Sequence, residues 1–347
     1  MTSKMFILFL ILLGGLLSSA QIPNNYYNSA SGLKGEQLKS ALHDIIKGHT
    51  EYPYTSSSTD TWDILKESDS DTSNTDNVIL IYSGWSVNAA QEYNNGNGWT
   101  REHTWAKSHG GFDTDEGVGT DLHNLKPCDN TVNSARSNKD FDNGGSQYID
   151  GDGPTDCYSD SDSWEPRDAV KGDVARILFY MATRYEGDDG EIDLELVDAV
   201  NTANTYGLNM GYHGKLSTLL QWHNEDPVDS FEIHRNDVIY SYQGNRNPFI
   251  DHPEYVDKIW ALTNTNEFIT TNPIKFYPNP TSDFFIIESS SSDRIEGEIF
   301  NLSGQLVLQF KAKGQRKIKL SKLKKGRYII RFEHDNHIYS DTLIILK

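Results

Sequence analysis

A change in the character of the sequence near residue 262 divides this 347-residue chain into two parts of different kinds. Residues 262–272 are rich in Thr and Asn and show no hydrophobic periodicity, as expected of a linker. Six short strand-like runs follow them, and this spacing predicts a small all-β sandwich. The predicted organisation is a signal peptide at 1–20, a first domain at 21–265, a linker at 266–273 and a β-sandwich at 274–347.

The first twenty residues have the composition of an export signal. Lys4 precedes an apolar run from Met5 to Leu17, and small residues follow at positions 18–20. The run is short for a bilayer span, so it predicts a cleavable signal peptide, with an uncleaved anchor as the alternative. No later segment is apolar enough to cross a membrane, and we expect the mature protein to be soluble and exported.

The cysteines constrain the fold little. Cys128 and Cys157 are the two cysteines of the sequence. In an oxidising compartment they could form one disulfide. Two cysteines do not define a disulfide framework, so the sequence leaves their pairing open.

The charge balance argues against a broad basic surface for nucleic acid. Asp and Glu number 50 against 31 Lys and Arg, giving a net charge of −19, whereas duplex binders usually show a basic footprint. Much of the acid lies at 59–76 and 150–165, where we expect solvated loops; the Asp residues of 150–162 could instead wrap a calcium ion. A bound divalent cation would offset the repulsion of phosphate locally, so the acidity does not exclude catalysis.

Hydrophobic periodicity before residue 262 indicates several helices. Apolar residues recur at helical spacing in Gly35–Lys47 and, most clearly, in Asp168–Tyr185. Asp226 followed by Pro227 predicts the start of a helix that runs to about Tyr242, and the β-branched run Val78–Tyr82 predicts a buried strand. The expected fold class is α+β: a mixed, mainly helical first domain followed by the all-β domain.

Residues 98–143 concentrate side chains suited to acid/base chemistry and metal binding. Hydrolysis of a phosphodiester needs a base to activate water, a cation to neutralise charge and a group that positions the phosphate. His103 is the candidate base, because imidazole titrates near neutral pH. Glu102 supplies a carboxylate oxygen and Asn133 an amide oxygen, which are ligands suited to Mg²⁺ or Ca²⁺.

The elements predicted around these residues are strand, connector, strand and helix. Thr120–Leu125 alternates as a strand that Pro127 ends, and Cys128 or Asp129 can then open a helix. One face of that helix would carry Asn130, Asn133 and Arg136.

Strand geometry sets a condition on the first half of this site. Successive side chains on a strand point to opposite faces, so Glu102 and His103 can enter one site only if a strand end or a bulge re-aims one of them. Gly98, just upstream, would allow such a departure.

Other polar residues of the segment are expected to have structural roles. His109 and His123 are interpreted as structural or peripheral, and Asn130 and Asn138 as caps or loop bonds. The spacing does not match a zinc site, and neither cysteine lies in a reactive-thiol motif.

Three motifs occur in order in this segment: REHTW at 101–105, GTDLHNL at 119–125 and VNSARSN at 132–138. Together they resemble the bacterial endonuclease I family, periplasmic or extracellular nucleases with a ββα-metal (His-Me finger) active site. Further similarity extends the resemblance over about residues 35–260; it lies at 165–168, 172–176, 220–224 and 243–249.

The resemblance implies a role for each candidate residue. His103 would be the general base, Glu102 and Asn133 the ligands of one Mg²⁺ (Ca²⁺ or Mn²⁺ being alternatives), and Arg136 the contact to the scissile phosphate. The products would carry 5′-phosphates. The chain departs from the family pattern in two respects. It has only two cysteines, whereas some members carry several disulfides, and it is strongly acidic.

The C-terminal part resembles a second family. The sequence FYPNP at 276–280, the run IFNLSG at 299–304 and the closing strand are similar to type IX secretion sorting domains. The resemblance implies a partner in the export machinery and passage through the periplasm to the medium or the cell surface. A carbohydrate-binding β-module is the alternative.

The function expected from the sequence is a secreted, monomeric endonuclease that cleaves DNA, and RNA as a further substrate, with little sequence preference. A non-catalytic surface binder of nucleic acid and a phosphodiesterase for small phosphate esters are the alternatives.

Overall fold

The computed structural model divides into two compact units, residues 1–263 and 264–347. The predicted signal peptide and the predicted linker lie outside the residues that the structure describes, which are 22–261, 274–289, 294–301, 305–334 and 337–346. Within those ranges no helix is long and apolar enough to span a membrane.

The first unit interleaves helices with short strands. Its helices are α1 (Gly35–Ile46), α2 (Thr61–Ser68), α3 (Lys107–Gly110), α4 (Asn130–Arg136), α5 (Lys171–Arg184), α6 (Thr202–Thr205), α7 (Leu216–Glu225), α8 (Ser230–Gln243), α9 (Pro248–Asp251) and α10 (Glu254–Trp260). Its strands are β1 (Ser70–Asp71), β2 (Asn74–Ile79), β3 (Ser86–Asn88), β4 (Trp99–His103), β5 (Leu125–Asp129), β6 (Asp140–Phe141), β7 (Ser146–Asp150), β8 (Gly153–Ser159), β9 (Ser163–Glu165), β10 (Glu195–Leu196) and β11 (Tyr212–His213).

These strands form small separate sheets. Strands β1, β2 and β3 make one sheet, β4 pairs with β5, β10 pairs with β11, and the fourth sheet has the order β6-β9-β8-β7. The predicted mixed α+β class is confirmed, although strands take a larger share of the first unit than the sequence predicted.

Helix α5 lies at the centre of the first unit. It begins at Lys171, one turn after the predicted start, because Asp168–Val170 forms a 3₁₀ turn. The helix is buried on nearly every side, and α1 and α7 pack against it. Its buried Arg176 is neutralised by Glu232 of α8, with Nε 2.6 Å from Oε1.

Three local predictions for the first unit are corrected. Helix α8 begins at Ser230, because Asp229 forms a capping box with Glu232; the predicted cap was Asp226. The two acidic segments predicted as loops are structured: 59–76 contains α2 and β1, and 150–165 contains β8, which pairs with β7, and β9. Strand β2 covers Asn74–Ile79 rather than the predicted Val78–Tyr82.

The predicted strand Thr120–Leu125 is also wrong. Residues 117–124 form turns, and the strand β5 follows them and includes Pro127. The backbone N–H and C=O groups here form hydrogen bonds with distant side chains. Gln243 accepts from the amide of Leu122 at 2.6 Å, and Arg235 donates to the carbonyls of Leu122 and Leu125. These bonds replace the sheet ladder that the alternating pattern implied.

The two cysteines are unpaired. Cys128 and Cys157 are buried free thiols within the main hydrophobic core of the first unit. Burial raises the pKa of Cys157 to about 11. In the protein as described, both therefore act as core residues.

The second unit is built from two antiparallel sheets. Its strands are β12 (Ile274–Tyr277), β13 (Phe284–Ser289), β14 (Arg294–Phe300), β15 (Leu306–Lys313), β16 (Arg316–Lys319), β17 (Gly326–His334) and β18 (His337–Ile345). The sheets have the orders β12-β13-β16 and β15-β14-β17-β18. In β17, Tyr328, Ile330 and Phe332 are buried while Ile329 is exposed, the alternation that predicted these strands.

Candidate active site

The four residues predicted for the site line one cleft. Glu102, His103, Asn133 and Arg136 face a cavity of about 380 Å³. The other residues that line it are Tyr54, Arg101, Ala106, Lys107, Ser108, Ser137 and Asn138.

Two paired strands and a helix position these side chains. Strand β4 runs antiparallel to β5, with Glu102 opposite Lys126 and His103 opposite Leu125. Helix α4 follows β5 directly, because the Asp129 carboxylate accepts hydrogen bonds from the amides of Thr131 and Val132. The predicted order of strand, connector, strand and helix is therefore present, with the second strand displaced along the chain.

The end of β4, rather than a bulge, brings Glu102 and His103 to the same cleft. The β4–β5 register has no shift, and β4 ends at His103. Gly98 does not introduce a bulge; it is needed because a Cβ there would lie 1.8 Å from the Gln91 carbonyl oxygen.

His103 is held in one orientation. Its Nε2 lies 2.8 Å from the carbonyl oxygen of Gly119, which can only accept, so Nε2 carries the proton and Nδ1 the lone pair. In the described part of the chain Nδ1 has no hydrogen-bond partner. Burial lowers the pKa of His103 to about 4, with Lys107 acting in the same direction, so the ring is neutral at pH 7.

Glu102 is a buried carboxylate held by two donors. The Tyr82 hydroxyl donates to Oε1 at 2.8 Å, and Arg136 Nη1 lies 3.2 Å from the same oxygen. Burial raises the pKa of Glu102 in spite of these two partners, which act in the opposite direction. A cation bound at this carboxylate would compensate the desolvation of its charge.

Asn133 projects from α4 into the cleft. It is half-buried, and its side-chain amide has no hydrogen-bond partner among the described residues. Its amide oxygen is thus available to a ligand. Together with the Glu102 carboxylate it makes a pair of hard oxygen donors, which fits Mg²⁺ or Ca²⁺ better than zinc.

The guanidinium of Arg136 is engaged by the protein. It is 1% exposed, and it donates to the carbonyls of Thr104 at 2.6 Å, Ser137 at 3.2 Å and His103 at 3.3 Å. Its ion pair with Glu102 completes the set. Arg136 thus ties the end of β4 to α4.

The sequence did not indicate several residues that support the site. Tyr82 fixes Glu102, the Gly119 carbonyl fixes His103, and Arg101 lies under the Tyr54 ring, 3.3 Å from its centre. The available signals were the positions of Gly119 in the GTDLHNL motif and of Arg101 in the REHTW motif. The role of Tyr82 depends on a contact across 20 positions that no local pattern encodes.

A second group of potential metal ligands lies behind Arg136. His109, Asp140 and His213 are buried, and their ligand atoms lie within 4.8 Å of one another; within the described ranges no other such group of three occurs. Asp140 accepts from the amides of Thr202 at 2.7 Å and Gly214 at 2.8 Å.

The imidazoles of this second group are occupied by protein partners. The two ring nitrogens of His109 lie 2.7 Å from the Tyr212 carbonyl and 2.6 Å from the Asn138 carbonyl. His213 Nδ1 faces Asp140 at 3.1 Å, and its Nε2 faces Arg136 at 3.4 Å. These contacts make the group a hydrogen-bonded support for Arg136.

Comparison with known proteins assigns both parts of the chain to families. The family model for endonuclease I matches residues 34–254, and that for a secretion system C-terminal sorting domain matches residues 275–346. The sorting domain marks the protein for secretion or for the cell surface.

Curated relatives carry matching names. An extracellular ribonuclease of Bacillus subtilis is 54% identical over 238 residues, and one of Bacillus amyloliquefaciens is 56% identical over 236; each match covers 68% of this chain and 78% of the relative. An endonuclease-1 of Buchnera aphidicola is 28% identical over 141 residues, 38% of this chain and 46% of that protein. The chain is a nuclease that belongs to the endonuclease I family and carries a C-terminal secretion sorting domain.

Proposed function

We propose that this nuclease hydrolyses phosphodiester bonds of DNA and RNA with little sequence preference, using one divalent cation and leaving 5′-phosphate products. The observation that carries the proposal is the orientation of His103 in the cleft that it shares with Glu102 and Asn133. This arrangement of β4, β5 and α4 supports a ββα-metal site.

His103 is the general base in this proposal. Because Nε2 donates to the Gly119 carbonyl, the lone pair of Nδ1 is available to take a proton from a water molecule in the cleft. The pKa of about 4 keeps the ring unprotonated at neutral pH. His103 thereby activates the water for attack on phosphorus; the P–O3′ bond breaks, the phosphate stays on the 5′ side, and the 3′-oxygen leaves as a hydroxyl that takes its proton from solvent.

Glu102 and Asn133 are the proposed cation ligands. The two side-chain donors to Glu102 reach Oε1, so Oε2 has no side-chain partner in the described part of the chain. A Mg²⁺ held here would neutralise the charge that develops on the phosphate oxygens. The chain's own contribution is to fix both oxygen donors before substrate arrives.

Arg136 is given a positioning role instead of the phosphate contact that the family resemblance implied. Both Nη atoms are bound to carbonyl oxygens or Glu102, and Nε is buried without a partner among the described residues, so a phosphate would have to displace these partners or uncover the guanidinium. Its contacts hold the Glu102 carboxylate and the backbone of His103, so it orients both the proposed ligand and the proposed base.

Both DNA and RNA are proposed as substrates. The two Bacillus relatives are named ribonucleases and the Buchnera relative an endonuclease. A site built from one general base and one cation acts on the phosphate and does not recognise the nucleobase. This supports cleavage of either polymer. We propose a monomer that interacts with the export machinery through its sorting domain.

The experiment replaces His103 by Ala in the purified mature chain. We expect loss of plasmid nicking and of RNA cleavage by on the order of 10²–10⁴-fold, because removal of a general base typically costs this much. A chelator should abolish wild-type cleavage, and Mg²⁺, Mn²⁺ or Ca²⁺ should be compared in restoring it. His234→Ala, an exposed histidine of α8, is the matched control.

Three results would contradict the proposal. One is cleavage by His103→Ala at the wild-type rate, and another is full wild-type activity in chelator. The third is hydrolysis of nitrophenyl phosphate esters without action on DNA or RNA, which would favour a phosphodiesterase for small substrates.

A further inference from the structure

We propose that Lys107 binds the substrate phosphate at the cleft, and that it does so in exchange for Asp113. This inference deepens the proposed function and rests on it. It assigns the phosphate contact to a residue that the sequence motifs did not single out, and it makes Asp113 a competitor of the nucleic acid.

Lys107 is the cation of the cleft that is free to reach a ligand. Of the three cations that line the cavity, Arg101 is 7% exposed and Arg136 is 1% exposed. The side chain of Lys107 is 39% exposed. It is therefore the one of the three that can move towards a phosphate without uncovering a buried charge.

Arg101 is committed to the protein in the same way as Arg136. It donates to the Tyr54 carbonyl, to Thr61 Oγ1 at 2.8 Å and to Thr55 Oγ1 at 3.1 Å. It also lies over the ring of Trp62, 4.0 Å from its centre. Nε of Arg101 is buried without a partner among the described residues, so a phosphate would have to displace the contacts of the Nη atoms or uncover the side chain.

The partner of Lys107 is a weak one. Its Nζ lies 2.7 Å from Asp113 Oδ1, and the Asp113 side chain is 77% exposed. Among the described residues no second partner of Lys107 occurs. Exposed ion pairs of this kind contribute little to stability, so a phosphate carrying full negative charge can replace the carboxylate.

The position of Lys107 fits the proposed reaction. It begins α3, four residues after His103, and it lines the same cavity as His103 and Asn133. An ammonium group at this position would contact the same phosphate that is attacked by the water molecule that His103 activates.

Binding is measured first in a His103→Ala background, with fluorescent duplex DNA at constant Mg²⁺, so that affinity is read without cleavage. We expect Lys107→Gln to weaken binding by on the order of tenfold. It should also reduce the slope of log K against log salt by roughly 0.9, the value for one phosphate contact. Lys107→Arg should restore the slope, and Asp113→Asn should tighten binding severalfold.

Lys258 and Glu254 provide a matched control outside the cleft. The Lys258 side chain is also 39% exposed and pairs with an exposed carboxylate, that of Glu254. Lys258→Gln and Glu254→Gln should leave affinity and salt slope unchanged. The same Lys107 variants in the active chain should lower kcat/KM in parallel with the loss of affinity.

The possible failures are distinguishable. An unchanged affinity and salt slope in Lys107→Gln would overturn the role of Lys107, and so would a loss of affinity without a change in slope. Neither result contradicts the proposed function, provided that the wild-type chain cleaves nucleic acid and His103→Ala does not. Absence of cleavage by the wild-type chain would instead overturn the proposed function.

Discussion

The two units of the protein are stabilised in different ways. The first unit buries many charged side chains, among them Asp69, Lys126, Arg176 and Arg235. In the C-terminal unit, the buried polar side chain found among the described residues is Thr281, and the core is otherwise aliphatic and aromatic. The nuclease unit thus combines its hydrophobic core with many buried polar contacts, whereas the sandwich depends mainly on hydrophobic burial.

The cluster of Asp69, Lys126 and Arg235 shows what the buried charges do. Lys126 Nζ lies 2.6 Å from Asp69 Oδ1, and Arg235 Nε lies 3.1 Å from Oδ2. Burial acts to raise the pKa of Asp69, but the two cations outweigh it and the pKa is lowered. Arg235 also holds the carbonyls of Leu122 and Leu125, so the cluster fixes the turns that precede β5.

Ion pairs in the C-terminal unit have a different setting. Lys311 pairs with Glu296 across β14 and β15, and both side chains are about half exposed, 54% and 50%. Such pairs are screened by water and salt. They lie on the outer faces of strands whose inner faces make the core.

The largest effect is expected for Asp69→Ala. Removal of this carboxylate leaves two buried cations without a counter-charge, which should lower the free energy of unfolding of the first unit by about 3–5 kcal/mol. All seven Trp residues lie between Trp62 and Trp260, so urea unfolding followed by Trp fluorescence reports on this unit. The control is Asp63→Ala, which breaks an exposed pair with Lys66; equal losses in the two variants would remove the distinction between buried and exposed charges.

A somewhat smaller effect is expected for Ile299→Ala in the sandwich. Ile299 is fully buried and lies opposite Leu308 and Ile330. Loss of its side chain should destabilise the C-terminal unit by about 2–4 kcal/mol through lost burial and the cavity left behind. Peptide-resolved hydrogen exchange measures this, with the exposed Ile329→Ala as control. Similar protection in both variants would contradict a stabilising apolar core.

The smallest effect is expected for Lys311→Gln. Because its pair with Glu296 is exposed, the loss should stay within about 0.5 kcal/mol by the same hydrogen-exchange measurement. A double-mutant cycle with Glu296→Gln isolates the pair. A coupling energy as large as the loss of stability in Asp69→Ala would show that exposed ion pairs in the sandwich contribute as much as buried ion pairs in the nuclease unit.

This difference also explains which predictions from the sequence succeeded. In the sandwich the period-two pattern is enough, because each buried side chain, such as Ile330, contributes through its own burial. The pattern located most of the strands, with β12 as the omission. Helix α5 was recognisable for the same reason, since its apolar residues recur at helical spacing.

In the nuclease unit the same reasoning failed where distant polar groups decide the backbone. Thr120–Leu125 alternates like a strand, yet Gln243 and Arg235, more than 100 residues away, hold it in turns. Asp229 displaced the predicted cap at Asp226 because Glu232 completes its capping box. The first of these choices depends on contacts between distant segments. The second was present locally, since Asp229 followed three residues later by Glu232 is a capping-box pattern, but the prediction gave the Asp226–Pro227 pair more weight.

For the site, residue types and their spacing along the chain were enough to identify the chemical candidates. Glu102, His103 and Asn133 stood out as residue types in an ordered set of motifs, and the structure places all three at one cleft. Their orientation depends on contacts made in the folded protein: Gly119 sets the proton on His103, Tyr82 and Arg136 fix Glu102, and Lys107 remains accessible. The physical reason is that hydrophobic periodicity is a property of neighbouring residues, whereas a hydrogen bond or an ion pair between distant segments exists only after the chain has folded.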